Sequence, residues 1–294
     1  GTYLGTFMPP ARFSPQEASL ACHGLLRAHA LAYDVLHSEI RERRGPWKDV
    51  PLAVGIAHNM LDFMPDRAFH PIERILAHVF RRFYNQAWLD AITGRKQRFG
   101  VPGLVPYAAQ VPEALGRRTC DFMGINYYTK AYVQWRPRDA APGRPADLPI
   151  GLAFARRRED ASDVEWAVHP EGFYRVLMFA KRYGLPIYVT ENGIADREDR
   201  LRPDYLRSHL AAVARANRDG ADVRGYYYWS LLDNFEWIKG FGPRFGLYQV
   251  DYSTFERTPT GSATLLREIV RRHQTQGGMP PDETLIYAAE RPAL

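Results

Sequence analysis

The sequence predicts an α/β fold with parallel strands. Four short segments rich in β-branched and aromatic residues indicate strands, and longer segments with helical spacing of apolar residues separate them. The predicted strands cover residues 51–57, 120–128, 186–190 and 223–229. The predicted helices cover residues 14–44, 71–93, 170–183, 204–218 and 261–274. Because a parallel connection needs a crossover, usually a helix, this alternation indicates parallel βα units.

The first predicted helix has the clearest start and stop. Ser14 fits the N-cap position, Pro15 fits the first turn, and Glu17 can reach back to the cap. Gly45-Pro46 then ends the helix. Between them, apolar residues recur at helical spacing: Leu20, Leu25, Leu26, Ala28, Leu31, Ala32, Val35 and Leu36.

Polar and aromatic residues stand where each predicted strand ends. Functional residues at the carboxyl ends of parallel strands are typical of a (β/α)8 barrel. The chain holds four such strand segments and not the eight of a full barrel, and it is expected to form a single domain over residues 1–294, a partial barrel of about four βα units. Residues 129–168 are rich in Pro and Arg without clear periodicity and are predicted as a long loop insertion. The strand-end residues are His58, Asn59, Asn126 to Tyr128, Glu191, Asn192 and Trp229.

Composition and charge argue against several classes of protein. A chain of 294 residues with 46% hydrophobic and 24% charged residues can bury a full core. The net charge is +6, but acidic residues are interspersed with the arginines, so solvated helix faces explain it better than nucleic-acid binding. No run approaches the roughly 18 apolar residues of a membrane span. Cys22 and Cys120 favour reduced thiols in a cytoplasmic protein, and no cofactor or metal is expected.

The segment LPIYVTENGIAD, residues 185–196, carries the main candidate for chemistry. Glu191 follows a short buried strand, and Asn192-Gly193 can turn the chain sharply after it. A carboxylate there is costly to desolvate, so it is usually paired or catalytic. For Glu191 alone, a helix-capping or turn acid is the alternative. A second segment, GYYYWSLLDNFEW, ends another strand in aromatic and acidic residues and favours the catalytic interpretation.

Paired carboxylates beside aromatic faces are the groups that hydrolysis of a sugar bond requires. Glu191 is the candidate nucleophile, and the neutral phenol of Tyr128 can donate a hydrogen bond to it. Only one of Tyr127 and Tyr128 can face the lumen, because consecutive strand side chains point to opposite faces.

Glu236 and Trp237, in the loop after the last strand, are candidates for gripping a sugar. A carboxylate can accept from two neighbouring hydroxyls, and an indole offers a stacking face and an N–H donor. Core packing is the alternative for the aromatic residues of this region. We accept that alternative for Phe235 and reject it for Trp237.

Four segments resemble the β-glucosidase family of retaining glycoside hydrolases: LPIYVTENGIAD, DFMGINYYT, WSLLDNFEW and RFGLYQVDY. WAVHPEGFY fits as well, and the resemblance runs in order from Gly1 to about Ile269. It implies that Glu191 is the nucleophile and Tyr128 the phenol that contacts it. It also implies the sugar-site residues: Asn126 near the nucleophile, Trp229, Glu236 and Trp237 on the non-reducing sugar, Phe245 closing the far wall and Trp166 lining the entrance.

The resemblance also implies a substrate class and its limits. Family members that cleave 6-phosphorylated sugars lack an acid at the position of Glu236, and a carboxylate there would repel a phosphate. We therefore expect an unphosphorylated β-glycoside or small oligosaccharide. The family's acid/base lies in an Asn-Glu-Pro motif, and the first ten residues of this chain, GTYLGTFMPP, resemble the family segment on the C-terminal side of that motif.

The chain is therefore expected to begin just after the fourth strand, without the acid/base, and to be weakly active or inactive alone. The missing N-terminal half or a second copy of the chain would close the barrel. The alternative is a carbohydrate-binding pseudoenzyme or a half-barrel assembly partner.

Overall fold

The computed structural model describes residues 14–43, 49, 51–95, 116–136, 150–157 and 159–275. The helices are α1 (Pro15–Arg43), α2 (Pro71–Phe80), α3 (Ala87–Ile92), α4 (Pro170–Lys181), α5 (Arg202–Arg218) and α6 (Gly261–Thr275). The strands are β1 (Gly55–Pro65), β2 (Phe122–Trp135), β3 (Ile150–Ala153), β4 (Ile187–Asn192), β5 (Val223–Tyr228), β6 (Tyr248–Val250) and β7 (Arg257–Pro259). A π-helical turn, Arg81–Gln86, joins α2 to α3, and a 3₁₀ turn spans Trp237–Lys239.

The main sheet has five strands. Its order is β1-β2-β4-β5, and β3 pairs with β2. Strands β4 and β5 run parallel, with Ile187 opposite Val223 and Val189 opposite Tyr226. Strands β6 and β7 form a separate antiparallel pair. The prediction of an α/β fold with a parallel sheet is confirmed.

Local sequence explains where several helices begin. The Ser14 hydroxyl accepts a hydrogen bond from the Glu17 backbone N–H at 3.3 Å, which confirms the predicted cap of α1. Helices α2, α4 and α5 each carry a proline in the first turn, where a backbone N–H has no partner within the helix. The helix predicted over residues 71–93 corresponds to α2, the π turn and α3, which follow one another without a break. Gly45-Pro46, the predicted end of α1, lies outside the described residues.

Two predicted strand limits are wrong. Strand β1 begins at Gly55 and continues to Pro65, so His58 and Asn59 lie inside a strand and not at its tip. Strand β2 continues past Tyr128 to Trp135, and β3 occupies part of the predicted loop insertion. Residues 137–149 and 158 of that insertion lie outside the described residues.

The part of β2 beyond Tyr128 carries a buried lysine that is paired with a carboxylate. The Lys130 ammonium lies 2.7 Å from Glu159 Oε1, and the Tyr132 hydroxyl donates to the same oxygen at 2.5 Å. Lys130 and Tyr132 are both buried. The charge of Lys130 is thus paired by a residue that lies 29 positions further along the chain.

The chain divides into two compact units, each built from several segments. The first comprises Gly1–Ile56, Phe63–Met123 and Val133–Leu152. The second comprises Ala57–Asp62, Gly124–Tyr132 and Ala153–Leu294, and it contains all the predicted site residues. The single domain over residues 1–294 stays a prediction.

Each unit has its own stabilising contacts. In the first, Asp121 accepts hydrogen bonds at 2.8 Å from the side chains of Tyr33 and His37 on α1 and from the backbone N–H of Val54. These bonds hold the pKa of Asp121 below its ordinary value, although burial opposes them. In the second, apolar side chains of α5, of α6 and of the residue directly before β6 form a core: Leu206, Leu210, Ala211, Ala214, Leu247, Leu265 and Ile269.

Cys22 and Cys120 are free thiols, as predicted. Cys120 is buried, and burial raises its pKa to about 11, so its thiolate is scarce at neutral pH. Of the helices in the described ranges, none combines the length and the apolar character that crossing a bilayer demands.

Candidate active site

Glu191 and Tyr128 meet where β4 lies beside β2 in the sheet. The Tyr128 hydroxyl donates a hydrogen bond to Glu191 Oε2 at 2.5 Å. Burial and then the hydrogen bond to Glu191 raise the pKa of Tyr128 far above its ordinary value, so the phenol stays protonated. Both residues are half-buried. The arrangement is a carboxylate held by a neutral donor, and it brings together the two residues predicted to touch.

Tyr127 lies on the opposite face of β2. Its side chain is fully buried, its hydroxyl donates to the His169 carbonyl at 3.0 Å, and its ring stacks on Phe173 with centroids 5.1 Å apart. The prediction that only one of the two adjacent tyrosines faces the candidate site is therefore confirmed.

Asn126 lies two residues before Tyr128 and bonds to the residue next to Glu191. The Thr190 hydroxyl donates to Asn126 Oδ1 at 2.5 Å, and Thr190 directly precedes Glu191 in β4. Asn126 is half-buried. The structure thus places Asn126 beside the strand that carries the carboxylate, and its contact with a ligand stays a prediction.

Four aromatic residues from separate parts of the chain pack together, and one of them, Tyr128, bonds to Glu191. The ring of Tyr128 lies 5.5 Å from that of Trp166 and 6.1 Å from that of Phe245, and Trp166 lies 6.3 Å from Phe245. Trp229 packs against the same cluster, whose buried members are Val164, Ala195 and Phe245. The predicted residues Trp166, Trp229 and Phe245 are therefore brought together around the phenol that binds Glu191.

Glu236 is half-buried and lies within electrostatic range of Glu191. Burial and then the negative charge of Glu191 raise the pKa of Glu236 above its ordinary value, and Lys239 opposes them. The backbone N–H of Glu236 donates to the Gly240 carbonyl at 2.7 Å and closes a tight loop. Within the described ranges, no group of three or more His, Cys, Asp or Glu side chains is placed to hold a metal ion.

Comparison with known proteins identifies the family. A family model described as glycosyl hydrolase family 1 matches residues 1–275. The chain belongs to glycosyl hydrolase family 1. This membership confirms the resemblance found in the sequence motifs.

Family 1 relatives are longer than this chain. The β-galactosidase of Pyrococcus woesei is 35% identical over 286 residues, which cover 91% of this chain and 54% of that protein. The solved structure of the β-glycosidase from Pyrococcus horikoshii matches with a TM-score of 0.71 and 35% sequence identity. The match covers 95% of this chain and 60% of that chain. A β-glucosidase from Thermotoga maritima in complex with glucoimidazole has a TM-score of 0.73 at 28% identity, with 90% of this chain covering 59% of it.

The chain therefore spans about half the length of the curated relatives it matches. It is an α/β protein with a parallel sheet and covers about half of the (β/α)8 barrels of its family, as predicted.

One prediction about the loop that carries Glu236 in this family 1 chain is wrong. Phe235 is 61% exposed and packs edge-on against Phe241 at 5.2 Å, so its assignment to the core is wrong. Trp237 is 67% exposed with a φ of 45°, which supports the rejection of core packing for this residue. Both rings therefore present most of their surface to solvent.

Two residues that support this loop were missed in the sequence, the buried Asp233 and the half-buried Arg244. Asp233 accepts hydrogen bonds from the backbone N–H of Gly246 at 2.9 Å and of Val250 at 3.1 Å, and from the Arg244 guanidinium at 2.9 Å. Arg244 and Gly246 flank Phe245, so these bonds hold the aromatic wall against the base of the loop. An acid inside the motif WSLLDNFEW and an arginine inside RFGLYQVDY were the available signals.

Proposed function

We propose that this chain carries the nucleophile side of a retaining β-glycosidase site, with Glu191 as the group that becomes glycosylated. The observation that carries the proposal is the 2.5 Å hydrogen bond from Tyr128 to Glu191 Oε2. A neutral phenol on one carboxylate oxygen orients the group without competing for a proton, and Oε1 is then the oxygen that attacks.

The reaction has two steps. Glu191 Oε1 forms a bond to the anomeric carbon while the bond from that carbon to the leaving oxygen breaks, and the leaving oxygen takes a proton from a general acid. A water molecule then attacks the same carbon, loses a proton to the same group and releases Glu191 as a carboxylate. We expect a separate polypeptide to supply the general acid, so the chain alone is expected to be weakly active or inactive towards ordinary glycosides.

The sugar is held by the residues around Glu191. Trp229, Glu236 and Trp237 bind the non-reducing sugar, Asn126 lies near the reacting carbon, Phe245 forms the far wall and Trp166 lines the entrance. The half-buried carboxylate of Glu236 accepts from sugar hydroxyls and repels a phosphate, which favours an unphosphorylated glucoside or galactoside. The free thiols Cys22 and Cys120 support a cytoplasmic location.

The test is covalent trapping. A dinitrophenyl β-glycoside with fluorine next to the anomeric carbon has a leaving group that departs without a proton, so the missing general acid does not prevent the first step. Incubation followed by intact-protein and peptide mass spectrometry should show one added fluorosugar on Glu191. Glu198 is an exposed carboxylate that pairs with Arg200 at 2.9 Å. The control variant Glu198→Gln should leave labelling of Glu191 unchanged.

One outcome of the trapping experiment would contradict the assignment of Glu191 as the nucleophile. The assignment is contradicted if Glu191 stays unlabelled in the chain alone and also after mixing with a second polypeptide. That polypeptide spans the half of a family 1 relative that this chain does not cover.

A second candidate is a carbohydrate-binding or assembly protein without turnover. Exposed apolar side chains on the loop favour it, since Phe235, Trp237, Ile238 and Phe241 are each more than half exposed, at 61%, 67%, 62% and 51%. Such a patch fits a sugar face or a polypeptide surface, including a complementary half-barrel or a second copy of the chain. Sugar binding or concentration-dependent sedimentation without any label on Glu191 would favour this candidate.

A further inference from the structure

Asn192 joins the three strands that carry the candidate site. It is the last residue of β4 and is fully buried. Its Nδ2 group donates to the Tyr127 carbonyl at 2.6 Å and to the Tyr205 hydroxyl at 2.8 Å, and its Oδ1 accepts from the Tyr226 hydroxyl at 2.8 Å. Its backbone carbonyl accepts from the Trp229 N–H at 3.0 Å.

Several of these bonds end next to a site residue or on one. Asn192 directly follows Glu191, and the Tyr127 carbonyl directly precedes Tyr128. The bond from the Asn192 amide to that carbonyl therefore fixes how far Glu191 and Tyr128 lie from each other along their strands. The bond to the backbone of Trp229 fixes the end of β5 in the same way.

Burial makes this arrangement stiff. Burial raises the pKa of Tyr205 and of Tyr226 well above the ordinary value, so both hydroxyls keep their protons. A buried amide whose donors and acceptor are all matched is costly to turn or to move, because any other orientation leaves a polar group without a partner. The backbone just after β4 also lies very close to that just after β5 at Gly193, because a Cβ on this residue would clash with the Trp229 carbonyl oxygen.

We propose that Asn192 is a positioning residue for the covalent step, which sets the Glu191 carboxylate at hydrogen-bond distance from Tyr128. The inference rests on the proposed function of Glu191. The Asn192 amide is fully buried and bonded to Tyr127, Tyr205 and Tyr226, and Glu236 and Phe245 are held by other bonds. Loss of the amide should therefore slow attack on the anomeric carbon and leave sugar affinity nearly unchanged.

The experiment measures trapping by the same fluorosugar at several concentrations, which separates the rate constant of labelling from the dissociation constant. Asn192→Asp keeps the shape but replaces the donor to the Tyr127 carbonyl with an oxygen. We expect the rate constant to fall about 10- to 100-fold, because small displacements of a reacting group have effects of that size. The dissociation constant should change less than about threefold, within the range of a weak indirect effect.

Asn217→Asp is the matched control. Asn217 also uses its side chain for two hydrogen bonds, both to the backbone of Val223 at the other end of β5, at 3.1 Å and 2.9 Å. Its replacement should lower the melting temperature and leave the rate constant of labelling unchanged. A merely structural role for Asn192 would make the two variants behave alike.

Tyr226→Phe keeps the test decisive if Asn192→Asp does not fold. It removes one hydroxyl partner of Asn192 and should lower the rate constant severalfold at a constant dissociation constant. Labelling of the wild-type chain together with an unchanged rate constant in the folded Asn192 variant, or in Tyr226→Phe, overturns the inference and leaves the proposed function intact. Absence of label in the wild-type chain overturns both.

Discussion

The end of β4 and the loop of residues 235–241 both supply candidate site residues, yet they are built differently. Glu191 accepts a hydrogen bond from Tyr128, and the next residue in the chain, Asn192, is fully buried. On the loop, Trp237 and Phe235 are more than half exposed, at 67% and 61%. The proposed nucleophile is thus fixed by strands, whereas the predicted sugar-binding groups project from a loop.

This difference indicates a division of tasks. Covalent chemistry needs a group held within a fraction of an ångström, which packed strands provide. Recognition of hydroxyl groups tolerates a loop, provided that its base is anchored. Asp233 anchors it here through Gly246, Arg244 and Val250. Substitutions at the strand end should therefore change the rate of the covalent step, and substitutions on the loop should change affinity.

The largest effect is expected for Glu191→Gln. The amide keeps the shape of the carboxylate but is not a nucleophile, so the rate of fluorosugar labelling should fall about 10⁴-fold or more. Release of dinitrophenolate, followed by its absorbance, measures this rate. Glu198→Gln serves as the control, and persistence of labelling in Glu191→Gln would assign the nucleophile elsewhere.

Tyr128→Phe should have the next largest effect. It removes one hydrogen bond to a charged group, which is worth roughly 1.5–3 kcal/mol, so labelling should slow about 10- to 100-fold. Tyr132→Phe is a matched control on the same strand, because the Tyr132 hydroxyl donates to the Glu159 carboxylate at the same distance, 2.5 Å. That variant should lose stability and keep the labelling rate. Equal rates in the two variants would contradict a role for the Tyr128 phenol.

Glu236→Gln should act on affinity. The amide accepts weaker hydrogen bonds than a carboxylate does, so the dissociation constant of the fluorosugar should rise about 10-fold while the rate constant of labelling stays nearly constant. Saturation kinetics of labelling measure both constants. A fall in the rate constant at unchanged affinity would show that the loop takes part in the covalent step and would end the proposed division of tasks.

The smallest effect concerns the pKa of Glu236. Burial and then the charge of Glu191 raise this pKa above its ordinary value of 4.5. Glu191→Gln removes the second cause, so the pKa of Glu236 should fall but remain raised. Because the folded protein holds this proton more tightly than the unfolded chain does, stability decreases as pH rises from 4.5 through the raised pKa, and less so in the variant.

An NMR titration of glutamate side-chain carbons measures this pKa, and Glu198→Gln should leave it unchanged. Identical titrations of Glu236 in the wild-type chain and in Glu191→Gln would show that the two carboxylates do not interact.

The sequence predicted features that depend on local pattern. The strand before Glu191, the placement of only one of Tyr127 and Tyr128 on the site face and the Ser14 cap all follow from spacing that neighbouring residues determine. The family motifs added the aromatic cluster, whose members Trp166, Trp229 and Phe245 come from distant parts of the chain.

Features that depend on distant partners were not predicted. Residues 129–168 were predicted as a loop, whereas Lys130 lies in β2 and bonds to Glu159, 29 residues away. Asn192 beside Gly193 indicated a turn, yet its amide is buried among tyrosines from β2, α5 and β5. Phe235 was assigned to the core from its apolar character, whereas its exposure depends on which segments surround the loop.

The salt bridge of Lys130 has a consequence for ligand shape. Side chains at alternate positions of β2 share one face, so Lys130 and Tyr132 continue the row of Tyr128. Both are covered, with 7% and 4% of their surfaces exposed, and Arg156 lies over the ring of Tyr132 at 4.2 Å. Under the proposed function, we expect an elongated glycan bound at Glu191 to leave the strand in a direction other than this row.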